Sequence, residues 1–149
     1  MRNNTVLMWR DGDELKESHF RMCEFENRDG FVMVDDSVLR SLELVRRDLG
    51  AQYGHAVRIM ITSGTRTIAD NERLGKVLGW TDAGGAVARN SRHLAKYGGV
   101  AVDIVASHMV NFAWVSIPQE RLASTCRDHF AYVKADYRDG HVHADNREA

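Results

Sequence analysis

Three residues of types that bind transition metals are spread over the second half of the chain. They are His93, Asp103 and His143. Zinc takes four nitrogen, oxygen or sulfur donors, and a catalytic site supplies three of them from side chains so that the fourth position can hold water. Two imidazoles and one carboxylate form such a set. The three residues are therefore candidate ligands of a catalytic zinc ion.

Each candidate also has an ordinary structural interpretation. Asp103 could be a strand carboxylate paired with an arginine, because an unpaired carboxylate is costly to bury. His93 could be a loop histidine beside a helix cap. His141 and His143 form a His-x-His pair, which could be an exposed polar face of a strand. Taken one at a time, these residues do not distinguish metal binding from the alternatives.

The elements that would position these residues are predicted from apolar spacing and capping residues. A helix is expected over 38–49, with its N-cap among residues 35–37 and its end at Gly50. A short helix is expected over 68–77, and another from Pro118 to about residue 134. Strands are expected over 57–62, 100–106 and 141–145. This order indicates a mixed α+β chain.

The strand prediction groups several candidate residues on one face. Side chains two positions apart share a face of a strand, so His141, His143 and Asp145 should point the same way. On the strand over 100–106, Asp103 has small and apolar neighbours, and a bound cation would offset the cost of burying its charge.

Two further segments are expected near the site. Arg66 follows the strand over 57–62 on a Ser63-Gly64 turn, although a solvated turn residue is an equally ordinary interpretation. Residues 79–90 are rich in glycine and small residues, which predicts a mobile loop over one side of the site.

Length and composition exclude several functional classes. The 149 residues fit one domain over 1–149, large enough to bury a core, and 20 basic residues nearly balance 21 acidic ones. Without a block of like charge, nucleic acid is an unexpected partner.

Cys23 and Cys126 are distant in sequence and are expected to be buried or free thiols. No signal peptide and no membrane insertion are expected from the apolar runs.

Short motifs in a fixed order carry a resemblance to a known family. They resemble the M15 family of zinc D,D-/L,D-peptidases, in its small branch with patterns of the type SGYR, SxHxxGxAxDI and VHVD. The resemblance covers roughly residues 20–147. It implies a Hedgehog/DD-peptidase-like fold, with a small central, mostly antiparallel sheet and flanking helices. The motifs are Ser63-Gly64-Thr65-Arg66-Thr67, Asn71, Ser91-Arg92-His93-Leu94, Gly99-Val100-Ala101-Val102-Asp103-Ile104 and Val142-His143-Ala144-Asp145.

The resemblance also implies roles for individual residues. His93, Asp103 and His143 match the zinc ligands of the family, and Arg66 matches an arginine that would hold a substrate carboxylate or the oxyanion. Bound zinc would activate water and polarise the scissile carbonyl. The implied substrate is a peptide bond in the stem or cross-link of bacterial peptidoglycan.

The chain departs from the family pattern at two places. Many relatives have an acidic residue three positions before the last zinc histidine, where this chain has Gly140. His141 is the preferred substitute for the missing general base, Asp139 is the second candidate, and Asp145 is expected to orient a histidine ligand. The first histidine and the aspartate lie ten positions apart, three more than usual, and a bulge within residues 94–99 is expected to absorb the insertion.

The sequence thus predicts a zinc metallopeptidase acting on peptidoglycan, as a carboxypeptidase or an endopeptidase. A phage or prophage endolysin is expected, made in the cytoplasm and reaching the wall after lysis, or carried in a virion with possible tail partners. Within the enzyme class, the alternative is a cytoplasmic hydrolase of small dipeptides. Outside it, the alternatives are a zinc-retaining, non-catalytic module that binds the wall or builds a virion, and a protein whose histidines bind no metal.

Overall fold

The structure, a computed structural model, describes residues 3–147. Met1 and Arg2, which begin the segment where no signal peptide was expected, lie outside this range. The helices are α1 (Asp36–Tyr53), α2 (Ile68–Leu78) and α3 (Gln119–Arg127). The strands are β1 (Val6–Asp11), β2 (Glu14–Arg21), β3 (Val57–Ser63), β4 (Ala101–Val110), β5 (Ala113–Ser116), β6 (Tyr132–Lys134) and β7 (Val142–Asp145).

Strand β4 is the centre of a five-stranded antiparallel sheet. The strand order is β3-β4-β7-β6, and β5 also pairs with β4. β7 pairs with the first half of β4 and β5 with the second half, so these two strands follow each other along one side while β3 covers the other. The expectation of an α+β chain with a mostly antiparallel sheet is confirmed. A separate antiparallel hairpin, β1–β2, was not predicted.

Helix α1 supplies much of the core. The Asp35 carboxylate accepts a hydrogen bond from the Ser37 amide and caps the first turn. Apolar residues along one side of the helix are fully or almost fully buried, and burying each such side chain contributes about 1.5–3 kcal/mol. These residues are Val38, Leu39, Leu42, Val45 and Leu49.

The predicted end of this helix at Gly50 is wrong. The helix continues to Tyr53 and ends at Gly54, whose φ of 69° is the left-handed conformation that glycine adopts at little cost. Gly50 stays inside the helix at a cost of about 1 kcal/mol relative to alanine.

Other predicted boundaries also differ from the structure. Helix α3 ends at Arg127 and not near residue 134, because residues 132–134 form β6 against β7. Strand β4 runs on to Val110, where a two-residue turn leads into β5. The last strand begins at Val142, one residue later than expected. Tyr132 and Val133 are good strand formers, so pairing with β7 outweighs continuation of the helix.

The sheet has one covered and one open face. Ile59, Ile104 and Ala106 point into the core that α1 and α3 cover, while Met60 and Val105 point to the opposite side. Both cysteines are buried, as expected. Among the described residues, no helix combines the length and apolar character needed to cross a bilayer.

Candidate metal centre

Three elements bring His93, Asp103 and His143 together. Asp103 on β4 stands directly opposite His143 on β7, and His93 comes from the segment between α2 and β4. His93 Nε2 lies 3.0 Å from Asp103 Oδ1 and 3.1 Å from His143 Nδ1. Asp103 Oδ1 lies 3.1 Å from His143 Nδ1, so the three atoms form a nearly equilateral triangle. All three residues are buried and together could hold a metal ion.

The outer nitrogen of each histidine donates to an acceptor outside the triangle. His93 Nδ1 donates to the Gly64 carbonyl oxygen at 2.8 Å, and His143 Nε2 donates to Asp145 Oδ2 at 2.7 Å. In a neutral imidazole, this leaves the inner nitrogen with a lone pair. Two lone pairs and a carboxylate oxygen therefore face one another, and this arrangement needs a cation or a shared proton between them.

The pKa values follow from the same contacts. Burial is the main reason that the pKa of His93 falls below its ordinary value, which favours the neutral ring. Burial also acts to raise the pKa of Asp103, but the two histidines outweigh it and hold the pKa well below the usual range. Burial acts to lower the pKa of His143, yet hydrogen bonds to Asp103 and Asp145 raise it. The aspartate is thus ionised, as a metal ligand must be.

The triangle has nearly the size that a four-coordinate metal requires. Ligand atoms about 2.0–2.1 Å from a tetrahedral ion lie about 3.3 Å from one another. The three observed separations are 3.0–3.1 Å. A shift of a few tenths of an ångström in each side chain would accommodate the ion, so the donor set fits a metal in both chemistry and size.

The expected bulge between His93 and Asp103 is confirmed. Residues Ala95–Tyr97 form one turn of 3-10 helix, which ends at Gly98 in the left-handed conformation. Gly99 follows with a φ of 77°, and a β-carbon there would lie 2.7 Å from the Met33 carbonyl oxygen. The segment between the two residues thus forms a compact turn, and His93 Nε2 and Asp103 Oδ1 lie 3.0 Å apart.

Arg66 lies at the edge of the triangle. Its backbone amide donates to the His93 carbonyl oxygen at 2.6 Å, and its Nη2 lies 3.7 Å from Asp103 Oδ2. Ser63 Oγ and Asn71 Oδ1 accept from the guanidinium at 3.3 and 3.4 Å. Within residues 3–147, Arg66 Nε is a buried donor without a partner. The alternative of a solvated turn residue is thereby excluded for Arg66.

His141 approaches the triangle from the turn before β7. Its Nδ1 lies 2.5 Å from Asp139 Oδ1, its Nε2 lies 3.7 Å from Asp103 Oδ2, and its ring stacks on Tyr137 at 3.9 Å between centroids. Because Asp139 accepts at Nδ1, the Nε2 lone pair faces the centre. Burial raises the pKa of Tyr137 to about 12, so the stacked phenol is neutral.

Asp145 makes the contact with a histidine that was expected of it. It is fully buried and accepts from both His143 and Arg147, the latter through two nitrogens at 2.6 and 2.8 Å. Burial acts to raise the pKa of Asp145, but these bonds hold it well below the usual range. An ionised Asp145 fixes the tautomer and orientation of His143.

The segment over 79–90 borders the Arg66 side of the centre. The Asn71 side chain donates to the Ala88 carbonyl oxygen at 3.2 Å, which connects the segment to α2. Within it, the Thr81 amide donates to the Val87 carbonyl oxygen at 2.9 Å and the Val87 amide to the Gly79 carbonyl oxygen at 3.0 Å. Its predicted mobility stays a prediction.

Three contributors to the site were missed by sequence reasoning. Arg147 lies two residues beyond Asp145, so proximity in sequence was the only available signal. Tyr137 and Gln119 had none: Gln119 Nε2 donates to the carbonyl oxygens of Tyr137 and His141 and thereby fixes the turn that carries His141.

Four histidines lie outside the centre. His19 contacts Glu43, His129 contacts Asp48, and His55 lies against His108. Within residues 3–147, none of these pairs is joined by a third histidine, cysteine or carboxylate in a metal-binding arrangement.

Comparisons of the chain with protein-family models, with curated proteins and with solved structures found no match.

Proposed function

We propose that this protein is a zinc-dependent peptidase that cleaves a peptide bond in the stem or cross-link of bacterial peptidoglycan. The observation that carries the proposal is the meeting of His93 Nε2, Asp103 Oδ1 and His143 Nδ1 at 3.0–3.1 Å, with the outer nitrogen of each histidine already bonded. Two imidazoles and one carboxylate suit zinc, and three protein ligands are the number that catalytic sites use.

Zinc, when bound, would supply an activated water and polarise the scissile carbonyl. His141 would act as the general base, since its Nε2 faces the centre while Asp139 holds the opposite nitrogen. The same nitrogen would then deliver the proton to the leaving amine. Asp139 would act through His141 as a positioning residue, because its own carboxylate is bonded to the far side of the ring.

Arg66 would bind a negative charge of the substrate. Its terminal nitrogens make only long contacts, at 3.4 Å to Asn71 Oδ1 and 3.3 Å to Ser63 Oγ. These donors suit a substrate carboxylate or the oxyanion that develops during hydrolysis. Asp103 lies close enough to keep the guanidinium oriented toward the centre.

Support for the peptidoglycan substrate comes from the ordered motifs. The resemblance to the zinc D,D-/L,D-peptidases also supports a Hedgehog/DD-peptidase-like version of the α+β fold. In this proposal the protein is an endolysin or a virion component that reaches the wall during phage infection or lysis.

Mass spectrometry of peptidoglycan fragments tests the proposal. Fragments are incubated with the zinc-loaded protein, with protein treated with chelator, and with treated protein after zinc is restored. We expect one new peptide terminus that disappears with chelator and returns with zinc. An unchanged pattern from folded, zinc-loaded protein would contradict the proposal.

Gly140 favours a second candidate, a zinc-retaining module without catalysis. It occupies the position of the family's usual acidic residue, and its φ of 85° suits glycine and disfavours a residue with a side chain. This candidate predicts zinc binding and wall or assembly-partner binding without new termini. His141→Ala would then have no effect on function.

A further inference from the structure

A groove of about 420 Å³ lies on the open face of the sheet beside the metal centre. Residues that stand directly opposite each other on paired strands have their side chains on the same face of the sheet. On the face that carries Asp103, successive pairs of this kind form rows that lead away from the metal centre. Met60 stands opposite Val105 in the next row, and Arg58 opposite Ser107 in the one after. The groove lies over these rows and is therefore continuous with the candidate active site.

One wall of the groove belongs to the candidate active site itself. Asp139 and Gly140 line the groove, and they belong to the turn that carries His141. Gln119, at the start of α3, also lines it and holds this turn through two hydrogen bonds. A chain bound in the groove would thus pass beside the proposed general base.

The floor of the groove has an apolar part that the fold leaves uncovered. Met60 is 49% exposed and Trp114 is 39% exposed, although both belong to strands of the central sheet. Neighbouring apolar groups that stay exposed in this way are typical of binding surfaces.

Arg58 provides a fixed positive charge in this floor. Its Nε donates to Ser107 Oγ at 3.0 Å, and its guanidinium carbon lies 4.5 Å from the centre of the Trp114 ring. These contacts orient the side chain, and among the described residues its two terminal nitrogens donate no hydrogen bond to the protein. Within residues 3–147, no carboxylate forms an ion pair with Arg58.

Among the described residues, the two other arginines that stack on tryptophan rings are neutralised by carboxylates. Arg47 lies over Trp9 and pairs with Asp11, and Arg89 lies over Trp80 and pairs with Asp82. Arg58 has the same kind of stacking without the carboxylate. An oriented guanidinium with free donors is suited to binding a carboxylate from another molecule.

The sheet sets the distance from this charge to the metal centre. Ser107, opposite Arg58, lies four residues beyond Asp103 on β4, which corresponds to about 13 Å at a rise of about 3.3 Å per residue. An extended peptide has a similar rise, so the guanidinium would meet a group about four residues from the scissile bond.

We propose that this groove binds the substrate beyond the cleaved bond, and that Arg58 selects an extended acidic peptide with a carboxylate about four residues away. This inference rests on the proposed peptidase function, since it names the substrate class of the same site. Arg58 is a specificity-determining residue in this view and takes no part in the chemical step.

The test changes both partners of the proposed contact, the carboxylate of the substrate and the side chain of Arg58. Peptidoglycan fragments are used with free carboxylates and after conversion of those carboxylates to amides. For wild type, Arg58→Gln and Arg58→Lys, kcat/KM is measured on both substrates. Arg40→Gln is the matched control, because Arg40 is also an exposed arginine but lies on α1, at the covered face of the sheet.

We expect Arg58→Gln to lower kcat/KM about tenfold on the free-carboxylate fragments, mainly through KM, and less than about twofold on the amidated ones. Arg58→Lys should retain part of the preference because it keeps the charge. An equal loss on both substrates would overturn the inference, since it would indicate a structural effect of the substitution.

Binding of the same two fragment sets, measured by calorimetry, separates this inference from the proposed function. Cleavage that is unaffected by every Arg58 variant overturns the inference and leaves the peptidase proposal standing. If the protein binds the free-carboxylate fragments more tightly through Arg58 but cleaves nothing, the groove binds acidic peptides as inferred and the proposed peptidase function is overturned.

Discussion

Asp103 and His143 face each other across β4 and β7, with Asp103 Oδ1 3.1 Å from His143 Nδ1. The register of these two strands places the pair, and His93 completes the triangle from a loop. A one-residue slip of β7 would turn His143 to the core face and remove it from the centre. The metal centre and the sheet register therefore depend on each other.

This dependence predicts that zinc stabilises the fold. A ligand that binds only the folded state adds about 4 kcal/mol at a concentration a thousand times its Kd. We expect the Tm to rise on zinc addition and to fall with chelator. Thermal unfolding of wild type and His143→Ala provides the check, because the variant should show no response to zinc. A wild-type Tm that ignores both zinc and chelator would argue against a metal centre.

Removal of the charge behind His143 should weaken metal binding. Asp145→Asn keeps an acceptor but loses the negative charge that fixes the histidine and pairs with Arg147. Such partners typically account for about 10- to 100-fold in metal affinity. Competition with a zinc chelator measures this loss. Asp48→Asn is the control, since Asp48 holds His129 in a similar contact away from the centre; an equal loss in both variants would refute the role of Asp145.

Loss of the proposed general base should remove turnover without removing the metal. We expect His141→Ala to lower kcat by about 10²- to 10⁴-fold, since general-base catalysis contributes that much. Asp139→Asn should cost less, because it only positions the ring. Rates and zinc content are measured together, with His55→Ala as a control for loss of an exposed histidine. A His141→Ala variant with wild-type turnover would exclude His141 as the base.

Arg66 should not be replaceable by lysine. Arg66→Lys keeps the charge but loses the forked donors that contact Ser63 and Asn71. We expect kcat/KM to fall by at least about tenfold, with zinc affinity unchanged within about twofold. Steady-state kinetics and metal titration check the two parts. Full activity of the lysine variant would mean that a simple positive charge is sufficient there.

The β4–β5 turn offers a prediction about stability alone. Asn111 and Phe112 have φ values of 48° and 65°, and the Phe112 side chain is fully exposed. A left-handed conformation costs most residues about 1–2 kcal/mol, and glycine avoids this cost. We expect Phe112→Gly to stabilise the protein by up to about 1 kcal/mol, measured by urea unfolding. A destabilised variant would show that Phe112 makes a contact worth more than the backbone strain.

Much of the candidate site could be predicted because its residues lie in short local motifs. His93, Asp103 and His143 are the three side chains that meet, and Arg66 and His141 lie at the edges of their triangle. Strand alternation correctly predicted that His143 and Asp145 share a face. The shared face needs only the period of a strand, whereas the choice of the three ligands and of Arg66 depended on the resemblance carried by the ordered motifs.

The contacts that sequence reasoning missed depend on long-range packing. Gln119 reaches the turn before β7 from the start of α3, and the Gly64 carbonyl holds His93 from the end of β3. The early end of α3 has the same origin, since residues 132–134 pair with a strand that lies later in the chain. Local propensity does not encode such partners, which tertiary pairing selects.

A crystal structure of the zinc-loaded protein, with anomalous data collected at the zinc edge, would locate the metal ion. We expect one strong peak about 2.0–2.2 Å from His93 Nε2, Asp103 Oδ1 and His143 Nδ1. We also expect His93 Nδ1 and His143 Nε2 to keep their bonds to Gly64 and Asp145. A zinc-loaded crystal without a peak between these three side chains would show that they are not the metal ligands.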